Sequence, residues 1–97
     1  MFKMIDGKMT QTASGKVFDS FAMMFDGTEG TLLCSGTSDI VAKKHMIMTK
    51  ADSMLYGNIR PILVVFDKPD EEVCEAITRM YTHTGYSKIW LKNNGYM

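Results

Sequence analysis

The sequence is poor in the residues that mark the more specialised classes of protein. Its 97 residues include two cysteines, two prolines and one tryptophan, and eleven basic side chains balance eleven acidic ones. Two cysteines are too few for a disulfide scaffold, and zero net charge argues against a partner bound mainly by neutralising phosphates. The longest apolar run, ILVVF at 62–66, is far too short to cross a bilayer. We therefore expect neither a disulfide-rich secreted domain nor a membrane-spanning protein.

The rest of the composition is that of an ordinary globular chain. Apolar residues make up 45% of the sequence and charged residues 23%, and a chain of this length folds as a single domain. We expect one compact domain over residues 1–97. The N-terminus carries no positive leader ahead of an apolar core, and the two cysteines read as reduced thiols, so the expected location is cytoplasmic.

Ten methionines are the most unusual feature of the composition. Methionine is flexible and polarizable, so it fills irregular cores and also forms adaptable binding surfaces. Because most apolar residues of a small domain are buried, we expect most of the methionines to fill the core. A methionine-rich exposed patch, with the cluster at Met46 and Met48 as its centre, is the alternative.

The N-terminal part of the chain predicts a β-hairpin followed by an ambiguous segment. Asp6 and Gly7 supply the positive φ angles of a type I′ turn, which would pair Met4 with Met9. The apolar residues of 16–25 follow helical spacing, and a helix is the preferred interpretation there. The competing interpretation is a strand that turns through DGTEG into a second strand at 31–35.

The C-terminal two-thirds of the chain predicts alternating strands and helices. The predicted elements are a strand at 31–35, a helical region at 39–56, a strand at 60–66, a helix at 68–85 and a strand at 86–92. Such crossovers favour parallel neighbouring strands, and the continuous ILVVF run favours burial on both faces. The predicted fold is therefore α/β, with an N-terminal β-hairpin followed by a βαβαβ-like mixed sheet with covering helices. An α+β two-layer sandwich is the alternative.

The stretch LLCSGTSD at 32–39 is the first candidate for chemistry. Cys34 would lie at the C-terminal edge of the sheet, where a helix dipole lowers a thiol pKa. Backbone amides at Gly36, Thr37 and Ser38 could bind an anion at the start of the following helix. A plain turn, with Asp39 as the helix cap, is the preferred interpretation.

The same stretch resembles the phosphocysteine loop of the cytoplasmic B components of the sugar phosphotransferase system. In that loop a strand ends in cysteine, and small residues precede a helix. The resemblance is carried by Cys34, Ser35, Gly36, Thr37 and Ser38. The loop is shorter here, and the cysteine lies further from the start of the chain than in that family. The resemblance implies phosphoryl transfer through the Cys34 thiolate.

The other reactive side chains have no partners at a useful spacing. Cys34, His45, Cys74 and His83 do not have the spacing of a zinc knuckle or ribbon, so we expect no metal. No motif indicates a cofactor. Asp67 directly follows the ILVVF strand, where functional carboxylates occur in α/β sheets, although a solvated loop residue is the preferred interpretation.

The last predicted strand offers a candidate binding surface. Residues of one parity along YSKIWLKNNGY are Tyr86, Lys88, Trp90, Lys92 and Tyr96. If Ile89 and Leu91, of the other parity, point into the core, the opposite face presents aromatic rings among cations. Such a face suits a protein hot spot or the stacking of unpaired bases. The alternative is that Trp90 is buried.

These features favour a small intracellular binding or regulatory protein that acts through protein–protein contacts. A protein partner is expected, a homo-oligomer formed through a sheet edge is compatible with it, and no membrane partner is expected. One alternative is a thiol-dependent phosphoryl or acyl transfer enzyme that uses Cys34. The other is a single-stranded nucleic-acid binding module on the last strand, which zero net charge disfavours.

Overall fold

Two small antiparallel sheets and three helices make up the part of the chain that the structure describes. The structure is a computed structural model, and it describes residues 1–55, 59–83 and 85–97. In chain order the elements are β1 (Phe2–Ile5), β2 (Lys8–Gln11), β3 (Val17–Phe18), β4 (Phe21–Asp26), β5 (Leu32–Gly36), α1 (Ser38–Leu55), β6 (Pro61–Phe66), α2 (Glu71–Thr82) and α3 (Tyr86–Asn93). The strand orders are β1-β2-β3 and β5-β4-β6. The predicted α/β class is confirmed, and the arrangement also fits the α+β alternative.

The N-terminal hairpin forms as predicted. Asp6 and Gly7 have φ angles of 53° and 75°, which are the positive values that a type I′ turn needs at both central positions. The register places Met4 opposite Met9. Local turn chemistry therefore determines this hairpin, and β3 adds to the free side of β2.

The preferred helix over 16–25 is wrong, and the competing strand interpretation is correct. β3 and β4 occupy this segment, and β4 turns back into β5. The residues from Phe21 to Phe25 are all buried, because β4 is covered on both faces. A strand buried on both faces shows no alternation of polar and apolar residues, so its pattern also fitted a helix.

The predicted last strand is also wrong, because residues 86–93 form α3. Gly85, with φ of 84°, precedes the helix in the left-handed conformation. Leu91 is fully buried as expected, whereas Ile89 is 60% exposed. Ser87 and Leu91, which are four residues apart, form the buried face, and this spacing is helical.

The predicted parallel neighbours are therefore absent from the described sheets. β5 and β6 each pair antiparallel with β4, which lies between them. They run in the same direction, and α1 connects them across one face of the sheet. β5, α1 and β6 thus form a crossover connection. β4 lies between its two strands and runs in the opposite direction.

The two longer helices lie close to where the sequence predicted them. α1 continues through Thr49, where a break was considered, and the Thr49 hydroxyl donates to the His45 carbonyl at 2.7 Å. Its predicted end at residues 56–58 lies outside the described residues. α2 begins after Asp70, whose carboxylate accepts a hydrogen bond from the Val73 amide at 2.8 Å. It ends at Thr82, before the predicted stop at Gly85.

The core has two parts, one on each face of the β5-β4-β6 sheet. The larger part brings together this face, the N-terminal hairpin, α2 and α3, and the smaller part lies beneath α1. Four methionines, Met9, Met23, Met24 and Met80, are buried, as the core-filling interpretation predicted. Met46 is 65% exposed, but Met48 packs against the smaller core, so the two do not form an exposed methionine patch.

The turn between β4 and β5 packs closely against α3 at Gly30. Gly30 is buried, and a Cβ built on it would lie 2.7 Å from both the Cα and the Cβ of Lys88. Its φ of 74° also favours glycine. The close approach therefore requires the absence of a side chain at this position.

We expect Gly30→Ala to destabilise the protein more than Gly15→Ala. Both glycines have nearly the same φ, 74° and 73°, but no atom lies within 4 Å of a Cβ at Gly15. Each change costs about 1–2 kcal/mol for the left-handed backbone. Gly30→Ala adds an overpacking cost of about 1–3 kcal/mol. Urea unfolding, monitored by Trp90 fluorescence, measures the free energy of unfolding of each variant. Equal losses of stability in the two would contradict the tight contact at Gly30.

Candidate functional site

The most apolar strand of the protein lies at an edge of its sheet. β6 has the sequence PILVVF, which predicted a strand buried on both faces and flanked by neighbours. Within the described residues, only β4 pairs with it. Val64 is buried, but Val65 is 41% exposed. An apolar edge strand is a template for pairing with another strand, and proteins usually protect such edges.

The direction of the backbone groups along β6 follows from one hydrogen bond at its start. The Gly27 amide donates to the Arg60 carbonyl at 2.7 Å, so Arg60 faces β4 and its turn. Successive residues of a strand alternate in direction, so Ile62, Val64 and Phe66 also face β4. The backbone groups of Pro61, Leu63 and Val65 consequently point outward, away from the sheet.

The outward row is protected at one end and open at the other. Pro61 has no amide hydrogen, and its carbonyl oxygen lies 3.2 Å from Nε2 of His45 on α1. No backbone partner of the outward groups of Leu63 and Val65 occurs in residues 1–55, 59–83 and 85–97, and no side-chain partner occurs in residues 1–50, 59–83 and 85–97. Within these residues, each of the two presents one open donor and one open acceptor. This open row is the candidate interaction site.

The opposite edge of the same sheet, formed by β5, is built differently. Its register with β4 shifts between Met24 and Phe25, and such a bulge twists an edge away from regular pairing. The Ser35 hydroxyl forms a hydrogen bond with the hydroxyl of Tyr81 from α2. Burial raises the pKa of Tyr81. β6, in contrast, pairs with β4 in an unbroken register over all six residues.

Cys34 lies on β5, opposite Met24, and not on a loop at the end of the strand. Its side chain is half-buried against the smaller core, beneath α1. Burial raises the pKa of the Cys34 thiol, and the Lys44 ammonium opposes that effect only in part. A raised pKa disfavours the thiolate that nucleophilic chemistry needs.

The anion-site candidates do not converge on a common point. Gly36 is the last residue of β5 and pairs with Ala22. The Thr37 carbonyl accepts the Val41 amide, and the Ser38 hydroxyl shares a 2.9 Å hydrogen bond with the Ser20 hydroxyl. These are the contacts of a turn and a helix start, as the sequence favoured, although Asp39 lies within the first turn of α1 and is not its cap.

The helix separates the aromatic and basic residues that a strand would have interleaved. Tyr86 and Trp90 are half-buried and pack against the main core, whereas Lys88 and Lys92 are exposed on another side of α3. The Trp90 ring meets Phe66 edge-on, with centroids 5.7 Å apart. The Trp90 ring also stacks on the Tyr96 ring, with centroids 6.0 Å apart and an interplanar angle of 13°. Trp90 is thus half-buried. It is neither fully exposed on a binding face nor fully buried, which were the two interpretations from the sequence.

The remaining candidates are separate from one another. No three His, Cys, Asp or Glu side chains of the described residues are grouped as a metal site requires. Cys74 is buried in the core, and exposed His83 shares a 2.8 Å hydrogen bond with the Thr82 hydroxyl. Asp67 lines an open cleft of about 380 Å³ beside the Lys8–Asp19 ion pair, whose atoms are 3.1 Å apart and largely exposed.

Sequence reasoning identified ILVVF as a strand but missed Leu63 and Val65 as site residues. The relevant signal was the unbroken apolar run itself, which was interpreted as a sign of burial on both faces. Within the described residues, β4 is the one strand that pairs with β6.

Comparisons with protein-family models, with curated proteins and with solved structures found no match. None of the helices in the described part of the chain combines the length and hydropathy that a membrane crossing needs.

We expect Cys34 to be a slow nucleophile. Because burial raises its pKa, its rate of alkylation by iodoacetamide should rise with a midpoint above the ordinary thiol value of about 8.5. Lys44→Ala should move the midpoint further up, because the ammonium that stabilises the thiolate is lost. Lys43→Ala, which changes the neighbouring exposed lysine, is the matched control. Peptide mass spectrometry distinguishes alkylation of Cys34 from alkylation of Cys74. A midpoint for Cys34 below the ordinary thiol value would contradict a raised pKa.

Proposed function

We propose that this protein is a small binding or regulatory protein that acts through protein–protein contacts. In this proposal an extended strand of the partner pairs with the outward edge of β6. The open backbone row at Leu63 and Val65, on a strand of wholly apolar sequence, carries the proposal. Strand addition of this kind takes its affinity from main-chain hydrogen bonds and its selectivity from alternate side chains.

The side chains beside this edge support a protein partner. Leu63 and Val65 lie on the same face of β6, and both retain some exposure. A partner strand would cover apolar surface there while it satisfies the backbone groups. The chain has zero net charge, so it neither requires nor repels a partner of one sign.

The two alternative functions have less support. Thiol-dependent transfer needs an activated Cys34, and burial raises the pKa of that thiol. Stacking of unpaired bases needs accessible rings near cations, and Trp90 is stacked against Tyr96 instead. A cytoplasmic location is part of the proposal, supported by two cysteines that remain free thiols.

A strand peptide tests the proposal. At protein concentrations where the chain is monomeric, a short peptide of alternating threonine and valine, with lysine at both ends, should shift the amide resonances of Leu63 and Val65 downfield. The amides of Ile62 and Val64 should shift little, because they already face β4. The same peptide with N-methyl groups on alternate residues lacks the pairing donors and serves as the control.

Val65→Lys should weaken the response, since a charge at an edge disfavours strand pairing. Val17→Lys is its matched control, because Val17 is 51% exposed and lies on the other sheet. The proposed function would be refuted if the protein is monomeric and the amide resonances of Leu63 and Val65 do not shift when the peptide is added.

A further inference from the structure

We infer that the strand that pairs with β6 is β6 of a second copy of this chain, in one defined antiparallel register. The inference rests on the proposed function and names its partner. In that register Leu63 of each copy lies opposite Val65 of the other, and the two-fold axis passes beside Val64. The two sheets then become one continuous six-stranded sheet.

The pattern of outward groups selects this register. Each copy offers the amide and the carbonyl of Leu63 and the same two groups of Val65. In an antiparallel ladder, the two residues of a hydrogen-bonded pair exchange both N–H···O bonds, and such pairs alternate with non-hydrogen-bonded ones. Pairing Leu63 with Val65 in both directions satisfies every open group of both copies.

A shift of the register towards Pro61 leaves open groups without partners. If Leu63 faced Leu63 of the second copy, Val65 would face Pro61. Pro61 has no amide hydrogen, and its carbonyl already lies within hydrogen-bonding distance of His45. The protected end of the row therefore excludes this neighbouring register.

The occupant is a second copy because the row is complementary to itself and the resulting contact closes. A contact between identical patches uses up both patches, so it ends at a dimer. The outer strands of the joined sheet would be the two β5 strands, whose edges carry the bulge described above. Zero net charge means that two copies do not repel each other.

The pairing would also cover the exposed part of β6. An unbroken apolar run predicts burial on both faces, and Val65 is 41% exposed in the single chain. A second copy would cover Val65 and bring β6 closer to the burial that its sequence predicts.

Sedimentation equilibrium over a range of concentrations is the first test. The wild-type protein should pass from monomer to dimer, with no larger species. Val65→Lys should raise the dissociation constant by about tenfold or more, because it places a charge within the paired strands. Val17→Lys should leave the constant unchanged, and far-ultraviolet circular dichroism checks that both variants are folded.

Disulfide trapping tests the register and does not depend on the lysine variant. In the inferred register Val64 faces Val64 of the second copy as a non-hydrogen-bonded pair, where Cβ atoms lie about 4.5–5.5 Å apart. Val64→Cys should therefore form an intermolecular disulfide with itself when copper–phenanthroline is the oxidant. Ile62→Cys, on the same face of the same strand, would face Phe66 and should not.

A wild-type protein that stays monomeric at every concentration would overturn the inference. So would a dimer that Val65→Lys leaves intact, or one that Ile62→Cys traps as readily as Val64→Cys. In each case the strand-peptide experiment, carried out at concentrations where the chain is monomeric, reports separately on the proposed function.

Discussion

The fold depends on one requirement, which is that β4 be paired on both edges and covered on both faces. Its residues from Phe21 to Phe25 are 2% exposed or less. Burying a large apolar side chain contributes roughly 1.5–3 kcal/mol, but only if the backbone groups of the strand are also satisfied. β5 satisfies one row of those groups and β6 the other. α1 covers one face, and the hairpin with α2 and α3 covers the other.

This requirement explains which parts of the fold could be predicted from the sequence. The hairpin at Asp6 and Gly7 and the capped start of α2 at Asp70 depend on local chemistry, and both lie where they were predicted. β4 depends on two neighbouring strands and two covering layers, none of which is local. A run that is buried on all sides carries no periodicity, so its state could not be determined from its own residues.

The same limit applied to α3 and to the candidate site. YSKIWLK alternates well enough to suggest a strand, but Gly85 and the buried pair Ser87 and Leu91 determine a helix. Reading the segment as a strand placed the lysines among the aromatic rings, whereas the helix separates them. For LLCSGTSD the plain interpretation as a turn and helix start agrees with the contacts of Thr37 and Ser38. The composition of β6 predicted burial on both faces, yet nothing in its own residues showed that it would lie at an edge of the sheet.

The way β6 is protected has a consequence for specificity. An edge blocked along its whole length would bind nothing, and a fully open apolar edge would bind other strands in many registers and aggregate. Here Pro61 and the His45 side chain block one end, and the open groups are confined to Leu63 and Val65. A partner strand that slipped towards Pro61 would leave donors or acceptors unpaired, and each such group, once buried, costs about 1–3 kcal/mol. In the proposed pairing, the protected end of the edge would therefore act against registers shifted in that direction.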